Sequence, residues 1–298
     1  MKRNLGNVAP DPALRRELPG RSPGYHLLSE TPSFDVSDCV CHAGVHSPVF
    51  GGEYSRVSVS VVLSGAFHVR SREGAALVGP GALLLGNRGA PYEYRHVDDG
   101  GDRSVVFECS EALLEDALRS LSGRVRGAGT FEQVCVPASP ESAQAVLLAQ
   151  RALAHGQGEE EAQGEAVLAV LDVALTLGRG GGGAMAVASD AQARRVSRVL
   201  RYIEAHVAED CSLEALAQVA GLTTFHFLRV FRAMTGQTPR QYVIATRLRL
   251  AAAALRMTRA RVTDVALEVG FGDLSHFTTS FTRAFGVSPR VYRARAGN

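Results

Sequence analysis

Lysine is almost missing from this chain. Lys2 is the only one in 298 residues, so nearly every fixed cation is an arginine guanidinium. Long apolar runs are missing too. None reaches the ~18 residues that a membrane-spanning helix needs, so no membrane partner is expected. Residues 1–26 lack the apolar core of a secretory signal. Cysteine is sparse and odd in number: Cys39, Cys41, Cys109, Cys135 and Cys211. In a chain this long that is no disulfide framework, and a soluble cytoplasmic protein with mostly reduced thiols is the expectation. No nucleotide-phosphate loop and no Ser-His-Asp arrangement stands out, so no catalytic class is favoured and no cofactor is expected. Net charge is small, at +2.

That small balance hides an asymmetry. From residue 190 to the end there are 16 arginines against 8 Asp and Glu, a net of +8, which leaves residues 1–189 at −6. A basic C-terminal part fits a phosphate-backbone partner, and the acidic remainder does not. The basic part also contains an internal repeat. Phe227/Phe277, Phe231/Phe281, Gly236/Gly286, Pro239/Pro289 and Tyr242/Tyr292 are related by an offset of 50. Leu213/Val262, Leu216/Val265, Ala217/Ala266 and Gly221/Gly270 are related by 49, and a turn between Gly and Phe can absorb the slip. Each copy reads as a short helix, a tight turn at the glycine and a second helix. Two helix-turn-helix units, over 213–234 and 262–285, imply a protein that holds double-stranded DNA at two successive places.

The stretches VTDVALEVGFGDLSHFTTSFTRAFGVSPRVYR (262–293) and LEALAQVAGLTTFHFLRVFRAMTGQTPRQYVIATRLRLAAAAL (213–255) resemble the signature of AraC/XylS-type bacterial transcription regulators. The resemblance covers about a third of the chain. It implies an α+β protein with an N-terminal cupin-like antiparallel β-barrel, dimerisation helices, and a C-terminal all-α domain of two helix-turn-helix units joined by a long helix. It also implies a small-molecule effector, a homodimer, and RNA polymerase as a further partner.

The remaining residues divide accordingly. Residues 1–24, rich in Pro, Gly and Arg, are expected to be disordered. Residues 25–137 carry the barrel: Val57, Val59 and Val61 alternate with serines as in a half-buried strand. The chain then turns at Ser64-Gly65 and resumes with Phe67 and Val69. Residues 138–178 are helical, with Ser139-Pro140 as N-cap and N1. Here Val167, Val170, Leu171, Ala174 and Leu175 form one stripe, which is either core or dimer interface. A Gly-rich tether over 179–189 leads to the DNA-binding domain at 190–298.

In the first unit, Thr223 or Thr224 caps a recognition helix whose inner face is Phe227, Val230 and Phe231. Candidate DNA contacts are Thr224, Phe225, Leu228, Arg229, Arg232 and Arg240. Arg229 has the fork geometry for guanine, Leu228 can meet a thymine methyl, and Arg232 and Arg240 suit phosphates. In the second unit Asp273 caps the helix, and Leu274, Ser275, Thr278, Thr279 and Thr282 are the candidates. Thr279 stands where the family usually has Arg, so this unit offers hydroxyls, which along with a helix N-terminus suit phosphate rather than base contact. Thr238-Pro239-Arg240-Gln241 is a capping box that launches a connecting helix to about Met257. Its span of roughly 25–29 Å compares with ~34 Å between major-groove entries on one face.

Cys39, Cys41, His42 and His46 lie close together, with His96 further on. These are metal-ligand types, but Cys39 and Cys41 share a strand face that His42 does not, and the spacing matches no zinc motif. Small buried cysteines are the plainer reading. Two rival functions stay open: a cupin-type metal-dependent enzyme with a helical regulatory appendage, marked by two or more histidine ligands, and an effector-free DNA binder with a filled barrel that only dimerises.

Overall fold

Residues 24–120, 131–178 and 189–296 are described by a computed structural model. The expectations for residues 1–24 and 179–189 therefore fall almost wholly outside it. Among the described residues the N-terminal half holds ten strands: β1 (Tyr25–Glu30), β2 (Phe34–Cys41), β3 (Phe50–Glu53), β4 (Val57–Ser64), β5 (Phe67–Ser71), β6 (Gly74–Val78), β7 (Leu83–Gly86), β8 (Pro91–His96), β9 (Asp102–Cys109) and β10 (Cys135–Val136). They form two antiparallel sheets, β1-β2-β9-β4-β7-β10 and β3-β8-β5-β6, that face one another as a cupin-like barrel.

The valine–serine alternation of β4 has a different meaning from the one expected. Val57 to Val62 are all buried, so neither face meets solvent. Val57, Val59 and Val61 pack, with Val105 and Phe107 of β9, under helices. Ser58 and Ser60 line a cavity between the sheets. The period of two separates an apolar core from a polar interior. The turn at Ser64-Gly65 is also not a hairpin, because β4 and β5 belong to different sheets. Gly65 makes that corner with φ +78°, and a Cβ there would lie 2.1 Å from the Gly101 carbonyl oxygen.

The helices over the barrel are α1 (Glu111–Ser120), α2 (Ala143–His155) and α3 (Glu160–Leu177). Helix α1 was not anticipated. Helix α2 starts at Ala143, later than Ser139-Pro140 implied. Residues 139–142 form a turn in which Ser139 and Ser142 each donate a backbone N–H to the other's hydroxyl. The Val167–Leu175 stripe of α3 is core. Val167, Val170 and Ala174 have no exposed surface, and they pack against Val36, Val59 and Val105 of the barrel. Of the two readings left open for the stripe, the core is the one this chain adopts.

The C-terminal half comprises α4 (Asp190–Ala205), α5 (Leu213–Ala220), α6 (Thr224–Thr235), α7 (Pro239–Met257), α8 (Val262–Glu268), α9 (Leu274–Phe285) and α10 (Pro289–Ala296). The repeat is reproduced in three dimensions. Phe227 meets Phe231 at 5.5 Å and Phe231 meets Tyr242 edge-on at 5.9 Å. Their counterparts Phe277, Phe281 and Tyr292 stand at 5.5 and 5.3 Å. The one-residue slip falls in the turn: Gly221 is two residues before the cap Thr223, and Gly270 three before the cap Asp273.

The halves pack together through shared cores. Ala66, Leu77, Val97 and Ala138 of the barrel half join Val199, Leu200, Phe231 and Tyr242. Leu147 of α2 joins Leu248 and Leu255 of α7. The Tyr242 hydroxyl donates to the Pro80 carbonyl at 3.3 Å. Helix α7 is therefore covered by the barrel half as well as by its own domain, and so it is buried around much of its girth.

Candidate nucleic-acid interface and effector cavity

Each second helix of the repeat is started by a side-chain cap and stopped by a glycine. Thr223 accepts from the His226 N–H at 3.4 Å, and Gly236 ends α6 in the left-handed region. Asp273 accepts from Ser275 at 2.9 Å and His276 at 3.1 Å, and Gly286 ends α9. The inward aromatic rows then turn the opposite faces outward. Phe225 is 77% exposed, and Arg229, Arg232 and Arg240 are exposed beside it; Thr224 and Leu228 are half-buried. In α9, Leu274, Ser275, Thr279 and Thr282 are exposed and Thr278 is half-buried.

The α9 N-terminus carries the Asp273 cap that the sequence implied. The Asp273 carboxylate accepts from the Ser275 and His276 N–H groups and places a negative charge at that end of the helix. The Thr223 cap of α6 is neutral. One exposed guanidinium was overlooked in the sequence: Arg290 is the repeat counterpart of Arg240 at the same offset of 50, each directly after the helix-initiating proline. Helix α7 joins the units with 19 residues, about 28 Å at 1.5 Å per residue.

The barrel encloses a cavity of about 360 Å³, within the range of small-molecule sites. Tyr54, Tyr92 and Tyr94 form one wall, with ring centroids 4.6 and 4.7 Å apart and the Tyr54 and Tyr94 hydroxyls 2.7 Å apart. Burial pushes both of those phenols well up. Glu53, Asp102 and Glu108 face the space, and no arginine does among the described residues lining it.

At one end of the cavity, register brings together residues far apart in sequence. Cys41 on β2 pairs directly with Asp102 on β9. His96, the last residue of β8 in the other sheet, reaches across, with Nε2 3.3 Å from the Cys41 sulfur and 2.9 Å from the Asp102 carboxylate. The Asp102 carboxylate, and then the Cys41 side chain, raise the His96 imidazole to about 9. Cys39 also lines the cavity, but burial raises its thiol to about 12. His42 and His46 are not part of this cluster, and Asp102 is the member that sequence proximity missed.

The turn between His96 and Asp102 touches the DNA-binding half. Asp98 accepts hydrogen bonds from the Ser197 hydroxyl and the Arg201 guanidinium of α4, with Arg201 Nε at 2.9 Å. Val97 lies in the shared core beside it. One end of the cavity is thus a few residues from the first helix of the DNA-binding domain.

A helix-turn-helix domain model matches residues 216–295, and an AraC-like ligand binding domain model matches residues 52–171. The HTH-type transcriptional activator RhaS of Enterobacter sp. (strain 638) is 40% identical over 99 residues, 33% of this chain and 36% of the relative. RhaS of Escherichia coli is 38% identical over 101 residues, 34% of this chain and 36% of the relative. The similarity therefore spans about a third of these relatives. Among solved structures, the C-terminal domain of AraT, a response regulator from Geobacillus stearothermophilus, is 28% identical. That match covers 34% of this chain and 84% of that one, with a TM-score of 0.33. An apo variant of ToxT from Vibrio cholerae is 10% identical over 89% of this chain and 98% of that one, with a TM-score of 0.36. No described helix is long and apolar enough to cross a membrane.

Proposed function

We propose that the chain is an AraC-type transcription regulator that binds double-stranded DNA sequence-specifically, under control of a small molecule held in the barrel; the two family-model matches and the similarity to RhaS support this reading. The observation that carries this reading is the pair of capped recognition helices with uncovered outer faces on one rigid connecting helix. A cavity of about 360 Å³ supports the effector and counts against a filled barrel that only dimerises. Its tyrosines and three carboxylates favour a neutral polar or cationic effector over an anion. The turn at Asp98 is the route by which occupancy reaches α4. The enzyme reading asked for two or more barrel histidines, and among the described residues lining the cavity His96 stands alone. A homodimer, placed on a face other than the Val167–Leu175 stripe, and contact with RNA polymerase belong to the same reading. Light scattering of the full chain decides the first.

The direct test is selection of bound fragments from a random DNA pool with the full chain, followed by titration of the selected site over a range of salt. Affinity is expected to fall linearly with salt on logarithmic axes as phosphate contacts release counterions. Absence of salt-dependent binding to any DNA by the folded chain overturns the reading.

On that site the two units are expected to differ. Arg229→Ala should cost ~1–3 kcal/mol and relax preference at one or two base pairs. Thr279→Ala should cost less. Scrambling the half-site that faces α9 should be better tolerated than scrambling the half that faces α6. Equal losses on both sides would mean that the second helix reads bases through its hydroxyls or Leu274.

A further inference from the structure

Three ligand types meet at the end of the cavity: a thiol, an imidazole and a carboxylate, from three strands and both sheets. We propose that Cys41, His96 and Asp102 bind a divalent transition-metal ion of the zinc type, with a coordination position left open to the barrel cavity. This goes beyond the regulator reading and stands apart from it.

The donor set is the first argument. Sulfur with imidazole nitrogen selects a borderline ion such as zinc over magnesium or calcium, which take oxygen. The spacing is the second. Bonds of ~2.0 Å to nitrogen and oxygen and ~2.3 Å to sulfur, at tetrahedral angles, set edges of about 3.5 Å for N–S and about 3.3 Å for N–O. The corresponding separations here are 3.3 and 2.9 Å, and all three donor atoms lie within 4.8 Å of one another. Small outward shifts admit the ion.

Rigidity is the third argument. Cys41 and Asp102 are held opposite each other by the β2–β9 ladder, and His96 is 9% exposed, with Phe50 edge-on to its ring at 5.8 Å. All three residues line the cavity, so the remaining vertex faces the space where an effector atom or water can complete the shell. The forms that would hold the ion are the thiolate, the neutral imidazole and the carboxylate. Two of the ligands, His96 and Asp102, flank the turn that carries Asp98, which places the site beside the contact with α4.

The test uses the full chain without an affinity tag, titrated with cobalt(II) as a spectroscopic stand-in for zinc. One equivalent should bind, with a sulfur-to-cobalt charge-transfer band, and zinc should displace it. Cys41→Ser should remove the band, and His96→Gln and Asp102→Asn should each weaken binding at least ~10-fold. His42→Ala and His46→Ala should change neither. Circular dichroism of each variant separates loss of ligand from loss of fold. Absence of the band in the wild-type chain overturns the proposal whatever the variants do. So does a band that survives in folded Cys41→Ser, since that would place the thiolate elsewhere. DNA titrations on the same preparation keep this outcome distinct from that of the regulator reading.

Discussion

Leu171→Asp is expected to unfold the N-terminal half. Leu171 is 1% exposed and packs in one core with the barrel strands and with Val167, Val170 and Ala174. Truncating a buried leucine costs ~2–5 kcal/mol. A carboxylate in that apolar site has no partner and adds several more. The sum rivals the ~5–15 kcal/mol that holds a typical domain together. Val170→Asp should behave the same way. Leu168, at the margin of the stripe on α3 and 44% exposed, is the internal control. Leu168→Asp should change stability by no more than ~0.5 kcal/mol. Thermal melts by circular dichroism, with light scattering, separate the cases. A Leu171→Asp chain that keeps its melt and merely halves in mass would restore the stripe as a dimer surface.

Removing Glu204 should cost more than removing the arginine it binds. Arg249 on α7 reaches Glu204 on α4 with Nη2 2.6 and 2.7 Å from the two carboxylate oxygens. The arginine side chain is 8% exposed, the glutamate 25%. Burial opposes the charge on Arg249, but its attraction to Glu204 prevails and holds its pKa above the ordinary value. Glu204→Ala strands a buried guanidinium, at ~3–5 kcal/mol. Arg249→Met leaves a carboxylate that water can reach and fills the space with an apolar stem, so ~1–2 kcal/mol is expected from the lost charged hydrogen bonds. The double variant should be more stable than Glu204→Ala alone. Urea unfolding of all four chains measures this, and equal costs for the two single variants would show that water reaches both groups.

The C-terminal half was the more legible part of the sequence because its boundaries are local chemistry. Thr238 and Gln241 form their capping box within one turn of chain, and α7 runs from Pro239 to Met257 as that box and its length implied. Helix α4 has a similar box at Ser189 and Gln192, a signal present but not used. Helix α1 left a weaker trace, in Leu114 and Ala117 turned to the core. The barrel was harder to read because its information is non-local. Alternation located β4 but could not say that both faces are buried, since that depends on a helical layer supplied about eighty or more residues later. The cavity cluster shows the same limit. Cys41 and Asp102 are 61 positions apart and meet only through strand register. Neighbours in sequence such as His42 and His46 drew attention instead.

The two-faced central strands also constrain how such a protein can change. Val59, Val61, Val105 and Phe107 belong to the shell that keeps the barrel folded. Ser58, Ser60, Ser104 and Glu108, interleaved with them on the same strands, line the interior space. Stability and ligand preference are thus written on alternate letters of one text. Substitutions at the second set can retune what the barrel accepts while the first set goes on holding it together. A one-residue insertion inside β4 or β9 would exchange the two sets and lose both properties at once.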